Sequence, residues 1–432
     1  MTVPLDSYRA LMRLFDPLFR DDGAGTGALG AFFVREAHAD FRAQLMASLS
    51  LNDQAKLLVA GQPGCGKTTL LLTVLDDLRA DGRVAAFVDL ESDTSVQDLA
   101  LTEIHIAACV ELIRQISARG LPIHDPTLQR GIDWLALVGS QSAQPTPSGV
   151  ADAFASILRA ARDNAALRRV VRESSGQEGV PDPGLMLQGL LGDLSSHEPS
   201  HRPVVIFDGL DKLPPARARE VFLGAKIKPM ASMPGTTILT IPLSMVYEPD
   251  YAILTEQYHN ADSAVLPAVR AFELDEQRNV RESREGRGVL GKIVRTRVSS
   301  IDAALVDEDA IDRAIESTCG NIRELARLIQ ASIVKATVQQ ASQIKRHHVE
   351  AAIEDQRETF RRAYQPKFLP VLQRIRDVHE LDNVDDVARM LLYGLWAMEL
   401  RNGQAWYLLP GPVQMLLRQL ERSARAGDLA KS

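Results

Sequence analysis

Short apolar runs closed by polar or glycine-bearing stretches set the rhythm of the first two-thirds of this chain. Leu57-Leu58-Val59-Ala60, Arg83–Leu90 (apolar from Val84 to Val88), Val204-Val205-Ile206-Phe207-Asp208 and Thr236–Ile241 (Ile238, Leu239 and Ile241 among threonines) are runs without a polar-apolar alternation. That is the pattern of strands covered on both faces, as in a parallel sheet. Ala264–Val269 reads as a fifth strand, and Pro267 confines it to an edge. Helical periodicity fills the intervals. After a glycine-rich break at Gly23–Gly30, Phe32–Glu36 leads into a helix to about Ser48, and another helix opens at Thr69. Residues 94–197 are mostly helical, broken by Pro/Ser/Gln-rich stretches at 140–149 and 174–181. Lying between strands of one sheet, this interval reads as an insertion rather than a separate domain.

Beyond the strands the period changes. Asp275–Arg287 is charged and reads as a solvated linker, and residues 288–358 look all-helical. Helical patterns at 367–380 and 384–395 then give way to Trp396–Arg401, Asn402-Gly403 and Gln404–Leu408. Asn-Gly between two alternating, aromatic-rich runs signals a hairpin. Helices followed by a hairpin predict a winged helix. The expected organisation is α/β: an N-terminal helical segment (1–50), a core with a parallel sheet (51–273), a helical lid (274–362) and a winged-helix-like domain (363–432).

Chemistry enters at the end of the first strand. Gly61-Gln62-Pro63-Gly64-Cys65-Gly66-Lys67-Thr68 reads G-x-x-x-x-G-K-T, between a strand and a helix. Glycines there let backbone N–H groups turn inward around a phosphate where a Cβ would block the approach. Lys67 is placed to reach the β- and γ-phosphates, and the Thr68 hydroxyl to ligate Mg²⁺. The helix N-terminus at Thr69 favours an anion. This loop predicts ATP or ADP with Mg²⁺. Asp208, ending a hydrophobic strand, is where phosphate-bound Mg²⁺ needs a carboxylate. Asp211, three residues on, is a candidate to orient or deprotonate water, though an exposed loop aspartate is the plainer alternative. Thr240 and Ser244, near the end of the fourth strand, are equal candidates to contact the γ-phosphate or the water, with a structural hydroxyl the alternative for either. Gly320-Asn321-Ile322-Arg323 combines a turn with a helix start, placing Arg323 in a first helical turn, where it would sense the γ-phosphate through lid movement.

Together these motifs resemble the AAA+ ATPases, most closely the origin-recognition and initiator-like clade or the related STAND signalling ATPases, from about Phe32 to Leu420. The resemblance implies an αβα P-loop core, a helical lid, and an adenine pocket formed before the P-loop, here at Val34 and Arg35. It assigns Lys67, Thr68, Asp208 and Arg323 the roles given above. Three departures stand out. Gly209 occupies the place where the family has a catalytic Glu, so Asp208-Gly209-Leu210-Asp211 is closer to the STAND pattern and implies slow or partner-stimulated hydrolysis. Asn is missing from the fourth strand. The trans-acting arginine has no clear counterpart, the nearby basic residues being Lys226, Lys228, Arg217 and Arg219.

The bulk numbers narrow the partner. The 432 residues carry 49 basic and 56 acidic side chains, a formal charge of −7. That argues against a broad nucleic-acid or membrane footprint. The three cysteines form no C-x-x-C, in keeping with a cytoplasmic location and without a zinc ribbon. Residues 363–432 hold nine Lys/Arg against eight Asp/Glu, and the helix before the hairpin opens Asp385-Asp386 with Arg389 as its single basic residue. Trp396 and Trp406 read as core aromatics, and Lys345-Arg346-His347-His348 as a solvated helix start or a local basic patch. The reading is a nucleotide switch coupled to a protein partner or to nucleotide-dependent self-assembly. The alternative is a DNA-binding initiator, loader or transposition-type ATPase.

Overall fold

The computed structural model describes residues 4–16, 32–52, 54–95, 98–139, 146–174, 182–197, 203–223, 235–258, 262–381 and 383–429. Along the chain come α1 (Leu5–Leu14), a 3-10 turn (Arg35–His38), α2 (Ala39–Leu51), β1 (Lys56–Gly61), α3 (Lys67–Ala80), β2 (Ala85–Asp89) and α4 (Leu90–Asp93). Five helices follow: α5 (Leu101–Ala118), α6 (Asp125–Leu137), α7 (Pro147–Asp163), α8 (Ala165–Glu173) and α9 (Pro183–His197). Next are β3 (Val204–Asp208), α10 (Pro215–Leu223), β4 (Thr236–Pro242), α11 (Leu243–Val246), α12 (Tyr251–Gln257) and β5 (Asp262–Val265). The last part runs β6 (Phe272–Leu274), β7 (Val280–Glu282), α13 (Arg284–Ser299), α14 (Glu308–Thr318), α15 (Ile322–Val338), α16 (Arg346–Ala363), α17 (Leu369–Val378), α18 (Asp386–Tyr393), β8 (Met398–Asn402), β9 (Gln404–Leu408) and α19 (Gly411–Leu429). These elements form two compact units. One comprises 1–39, 61–67 and 266–432, the other 40–60 and 68–265.

The second unit is α/β. Its five-stranded sheet has the order β2-β3-β4-β1-β5, with β2 parallel to β3, β3 to β4 and β1 to β5. Every residue of β3 and β4 is buried, which is why neither strand alternates charged with apolar positions. β5 is an edge strand and stops short of Pro267. The helical insertion shares this core. Ile104, Ile106, Cys109, Leu112, Ile113 and Ile116 of α5 are buried in one cluster with Val205, Phe207 and Leu239 of the sheet.

The first unit builds a separate core from α1, α13 to α16 and the β8–β9 hairpin, with Val34, Leu328, Ile353, Leu400 and Trp406 in it. The hairpin turns at Asn402–Gly403, pairing Met398 with Leu408, and Gly403 takes φ +95°. With α17, α18 and α19 it makes the winged helix. The charged stretch from Asp275 is not a plain linker. β6 and β7 pair across a turn in which Asp275 Oδ1 accepts the Asn279 N–H at 2.8 Å, and α13 begins at Arg284 behind a Ser283 cap. Three-residue strands are too short to alternate visibly among charges. The glycine-rich break at Gly23–Gly30 and most of the 140–149 and 174–181 stretches lie outside the described residues. Among those described, no helix is long and apolar enough to cross a membrane.

Candidate nucleotide site

Sequence dictates the loop's shape first. Gly64 and Gly66 adopt φ +85° and +106°, the left-handed region that side chains resist. Space is short as well. A Cβ on Gly64 would stand 2.5 Å from Asn321 Oδ1 and 2.6 Å from Arg323 Cβ, and one on Gly66 would stand 2.8 Å from His38 Nε2. Lys67 opens α3, and its Nζ donates to the carbonyls of Gly61 (2.7 Å) and Gln62 (2.9 Å).

Three braces within the first unit hold this loop. Asn321 caps α15, its Oδ1 accepting the Glu324 N–H at 3.1 Å, while its Nδ2 donates to Pro63 O at 2.8 Å. The Arg323 N–H donates to Gly64 O at 3.2 Å. His38, at the end of the 3-10 turn, has Nε2 2.8 Å from Cys65 O. A carbonyl only accepts, so Nε2 carries the proton. Burial lowers the His38 pKa to about 4, with the Cys65 hydrogen bond opposing it, so the ring is neutral at pH 7. The Gln62 side chain is turned away to the winged helix, where its Nε2 donates to Leu392 O and Ala397 O.

The expected residues distribute unevenly over these braces. Arg323 lies in the first turn of α15, and its guanidinium makes no hydrogen bond or ion pair among the described residues. Glu324 pairs instead with Arg327, at 2.7 Å. Val34 is buried in the first unit's core, and Arg35 is exposed on the 3-10 turn. The residue of that turn that reaches the loop is His38, which the sequence reading missed. A histidine in a non-periodic stretch gives no signal of its target.

In the second unit, Thr68 Oγ1 donates to Asp208 Oδ2 at 2.7 Å. Asp208 is only 3% exposed, at the end of β3, and pairs in register with Asp89 at the end of β2. One step past the Phe207–Leu239 pair, Thr240 is buried on β4 and donates to Phe207 O at 3.4 Å. Ser244, on α11, is buried with no hydrogen-bond partner for Oγ among the described residues. Asp211 is not an exposed loop residue. It is buried on the 3-10 turn Leu210–Lys212. Gly209 takes φ +99°, so a glutamate there would be strained. On α10, Arg217 donates to Leu99 O at 3.0 Å, and Arg219 lies 3.4 Å from Glu248 and 3.2 Å from Asp250. Lys226 and Lys228 lie outside the described residues.

The donor set suits magnesium and a polyphosphate. A hydroxyl and a carboxylate are hard oxygen ligands, of the kind that bind Mg²⁺ beside substrate phosphates. Among the described residues no cluster of three or more His, Cys, Asp or Glu forms a self-sufficient metal cage.

The structure is similar to Cdc6p from Pyrobaculum aerophilum, at 10% identity and TM-score 0.40 over 95% of this chain and 96% of that one. It is also similar to the ORC2 protein of Aeropyrum pernix (12% identity, TM-score 0.43, 96% and 98% covered). A Walker-type ATPase of Pyrococcus abyssi matches with 15% identity and TM-score 0.44, over 94% and 99%. No family model matches the chain, and no curated protein does. None of these likenesses lends a residue role to the chain.

Proposed function

We propose that the chain binds ATP or ADP with Mg²⁺ on Gly61–Thr68, hydrolyses ATP slowly, and works as a switch for a protein partner or its own assembly. The observation that carries this reading is the 2.7 Å Thr68–Asp208 hydrogen bond, a hydroxyl and a buried carboxylate directly after a lysine-ended glycine loop. Lys67 and backbone N–H groups of the loop would hold the phosphates, Thr68 and Asp208 the magnesium, and Arg323 the γ-phosphate. Bound Mg²⁺ would supply charge neutralisation on the phosphates. Asp208 would keep Thr68 oriented, and Asp211 would take up a proton from water. Gly209 in place of a glutamate leaves no carboxylate at the residue directly after Asp208, which supports slow turnover.

Against DNA reading stands the chemistry of the winged helix. Arg389 is the single basic residue of α18, and it is spent on Asp386 (2.6 Å) and Val384 O (3.0 Å). Asn402 at the wing tip donates to Leu274 O at 2.8 Å, and Trp396 packs edge-on against Phe360 and Phe368. The basic run at Lys345 is a helix cap, in which His348 Nδ1 accepts the Lys345 N–H at 2.9 Å.

The test is titration with a fluorescent ATP analogue in the presence of Mg²⁺. Saturable binding is expected for the wild type and a loss of about 100-fold or more for Lys67→Ala, in line with removing a charge-assisted phosphate contact. Absence of saturable binding in the wild type rejects the reading. Sizing with and without a non-hydrolysable analogue tests assembly. DNA affinity that falls steeply with salt would favour the alternative.

A further inference from the structure

Gln62 stands at a position where phosphate chemistry demands no side chain, since any residue satisfies that x of G-x-x-x-x-G-K-T. It is nevertheless 3% exposed and fully committed. Its Nε2 donates to Leu392 O at 3.0 Å and Ala397 O at 2.7 Å, and its Oε1 accepts the Glu399 N–H at 2.8 Å. Leu392 lies in the last turn of α18, Ala397 directly precedes β8, and Glu399 is within it. Between them the chain turns through Leu395, a non-glycine residue at φ +57°. One amide therefore pins both sides of a turn whose backbone is itself unfavourable. Buried polar groups of this kind need their partners, so the three bonds are not idle.

The main chain of the same residue faces the other way. Gln62 O accepts Lys67 Nζ at 2.9 Å and the Cys65 N–H at 3.3 Å. The phosphate-seeking lysine and the winged helix thus hold opposite ends of one residue. We infer that Gln62 is a positioning residue that couples Lys67 to the winged helix. When Lys67 leaves the Gly61 and Gln62 carbonyls, the Gln62 carbonyl loses its charged donor and keeps the longer Cys65 N–H bond, so the Gln62 peptide can reorient. Its amide then loosens from the Leu392–Ala397 turn and from β8, and the winged helix becomes available to a partner. This rests on the nucleotide reading above and adds a route by which occupancy of the loop is reported.

Hydrogen–deuterium exchange over 392–400, with and without ADP, tests the inference together with mant-ADP dissociation. In the wild type, ADP is expected to raise exchange over 392–400 by about threefold or more. Gln62→Met keeps the side chain's length without its hydrogen bonds. Without ADP it should already exchange at the raised rate, respond no further to ADP, and release mant-ADP about fivefold faster or slower than the wild type. The wild-type arm stands even if the variant does not fold. Wild-type binding of mant-ADP with unchanged exchange over 392–400 overturns the coupling alone. So does a variant whose exchange rises while dissociation stays within twofold. No mant-ADP binding by the wild type overturns the nucleotide reading and the coupling with it.

Discussion

The loop Gly61–Lys67 and the pair Thr68–Asp208 follow one another in the chain, yet opposite kinds of contact hold them. Thr68 and Asp208 meet through the ends of a helix and a strand, with Asp208 fixed by a fully buried strand beside Asp89. Side chains from far along the sequence hold the loop: His38 before it, Asn321 after it, and Gln62 reaching Leu392, Ala397 and Glu399. Its lysine is engaged by carbonyls of its own loop. Such hydrogen bonds contribute about 0.5–1.5 kcal/mol net each, so they can be exchanged for others at small cost. The contrast separates the labour. On the nucleotide reading proposed above, the sheet-borne pair would stay still for chemistry, and the loop would be released and retaken.

Asp208→Asn tests this division most severely. Asparagine keeps an acceptor for Thr68 Oγ1 but removes the charge. Turnover is expected to fall about 100-fold or more, as for loss of a carboxylate that supports a catalytic metal, with ATP affinity changed by less than about threefold. Steady-state hydrolysis beside equilibrium titration reads the two separately. If affinity collapses as in Lys67→Ala, the pair and the loop do not divide the work.

Acid should strike both regions, and by a similar amount. Burial lowers the pKa of His38 beside the loop, and of His105 on α5 in the second unit, to about 4 each. An unfolded histidine titrates near 6.5. Between these values the unfolded chain binds the proton and the folded chain does not, so stability falls as pH drops from about 6.5 towards 4 and levels off below. From pH 7 to 4.5 each ring accounts for a loss of about 2.5 kcal/mol. Denaturant titrations at the two pH values should show His38→Gln losing less than the wild type by about that amount. Equal losses would mean His38 is not held neutral in the folded chain.

Legibility in the sequence follows the same division. β3 runs from Val204 to Asp208 as its apolar run does, because a strand buried on both faces leaves its mark residue by residue. The Asn402-Gly403 hairpin was equally plain, since its turn chemistry is local. The glycine loop was legible as a candidate phosphate cradle because phosphate geometry constrains consecutive residues. What stayed hidden is whatever depends on distant segments meeting. Nothing near Gln62 points to Leu392 or Glu399, and His38 sits in a 3-10 turn too short for periodicity. The β6–β7 pair was masked by Asp275, Arg278, Arg281 and Glu282, which look solvated but include the turn's own ligands, such as Asp275 for Asn279 and Arg281. For Asp211 the sequence left a water-handling residue and an exposed loop aspartate open, and the turn that buries it removes the second.

Asn321 offers the smallest and sharpest test, because its two ends do different work. Oδ1 caps α15 through the Glu324 N–H, and Nδ2 braces the loop through Pro63 O. Asn321→Ala removes both, and is expected to cost about 1–2 kcal/mol, the usual loss of an N-cap together with a stranded carbonyl. Asn321→Asp keeps the cap and abolishes the donor. If the loop is held by exchangeable contacts, the aspartate variant should recover most of the stability lost in the alanine variant, yet bind ATP as the alanine variant does. Turnover at saturating ATP should stay within about twofold in both, as hydrogen-bond losses of this size outside the reacting groups allow. Denaturant titration and ATP titration of the two variants measure this. An aspartate variant that binds ATP like the wild type would reduce Asn321 to a helix cap and leave the Arg323 N–H as the lid's link to the loop.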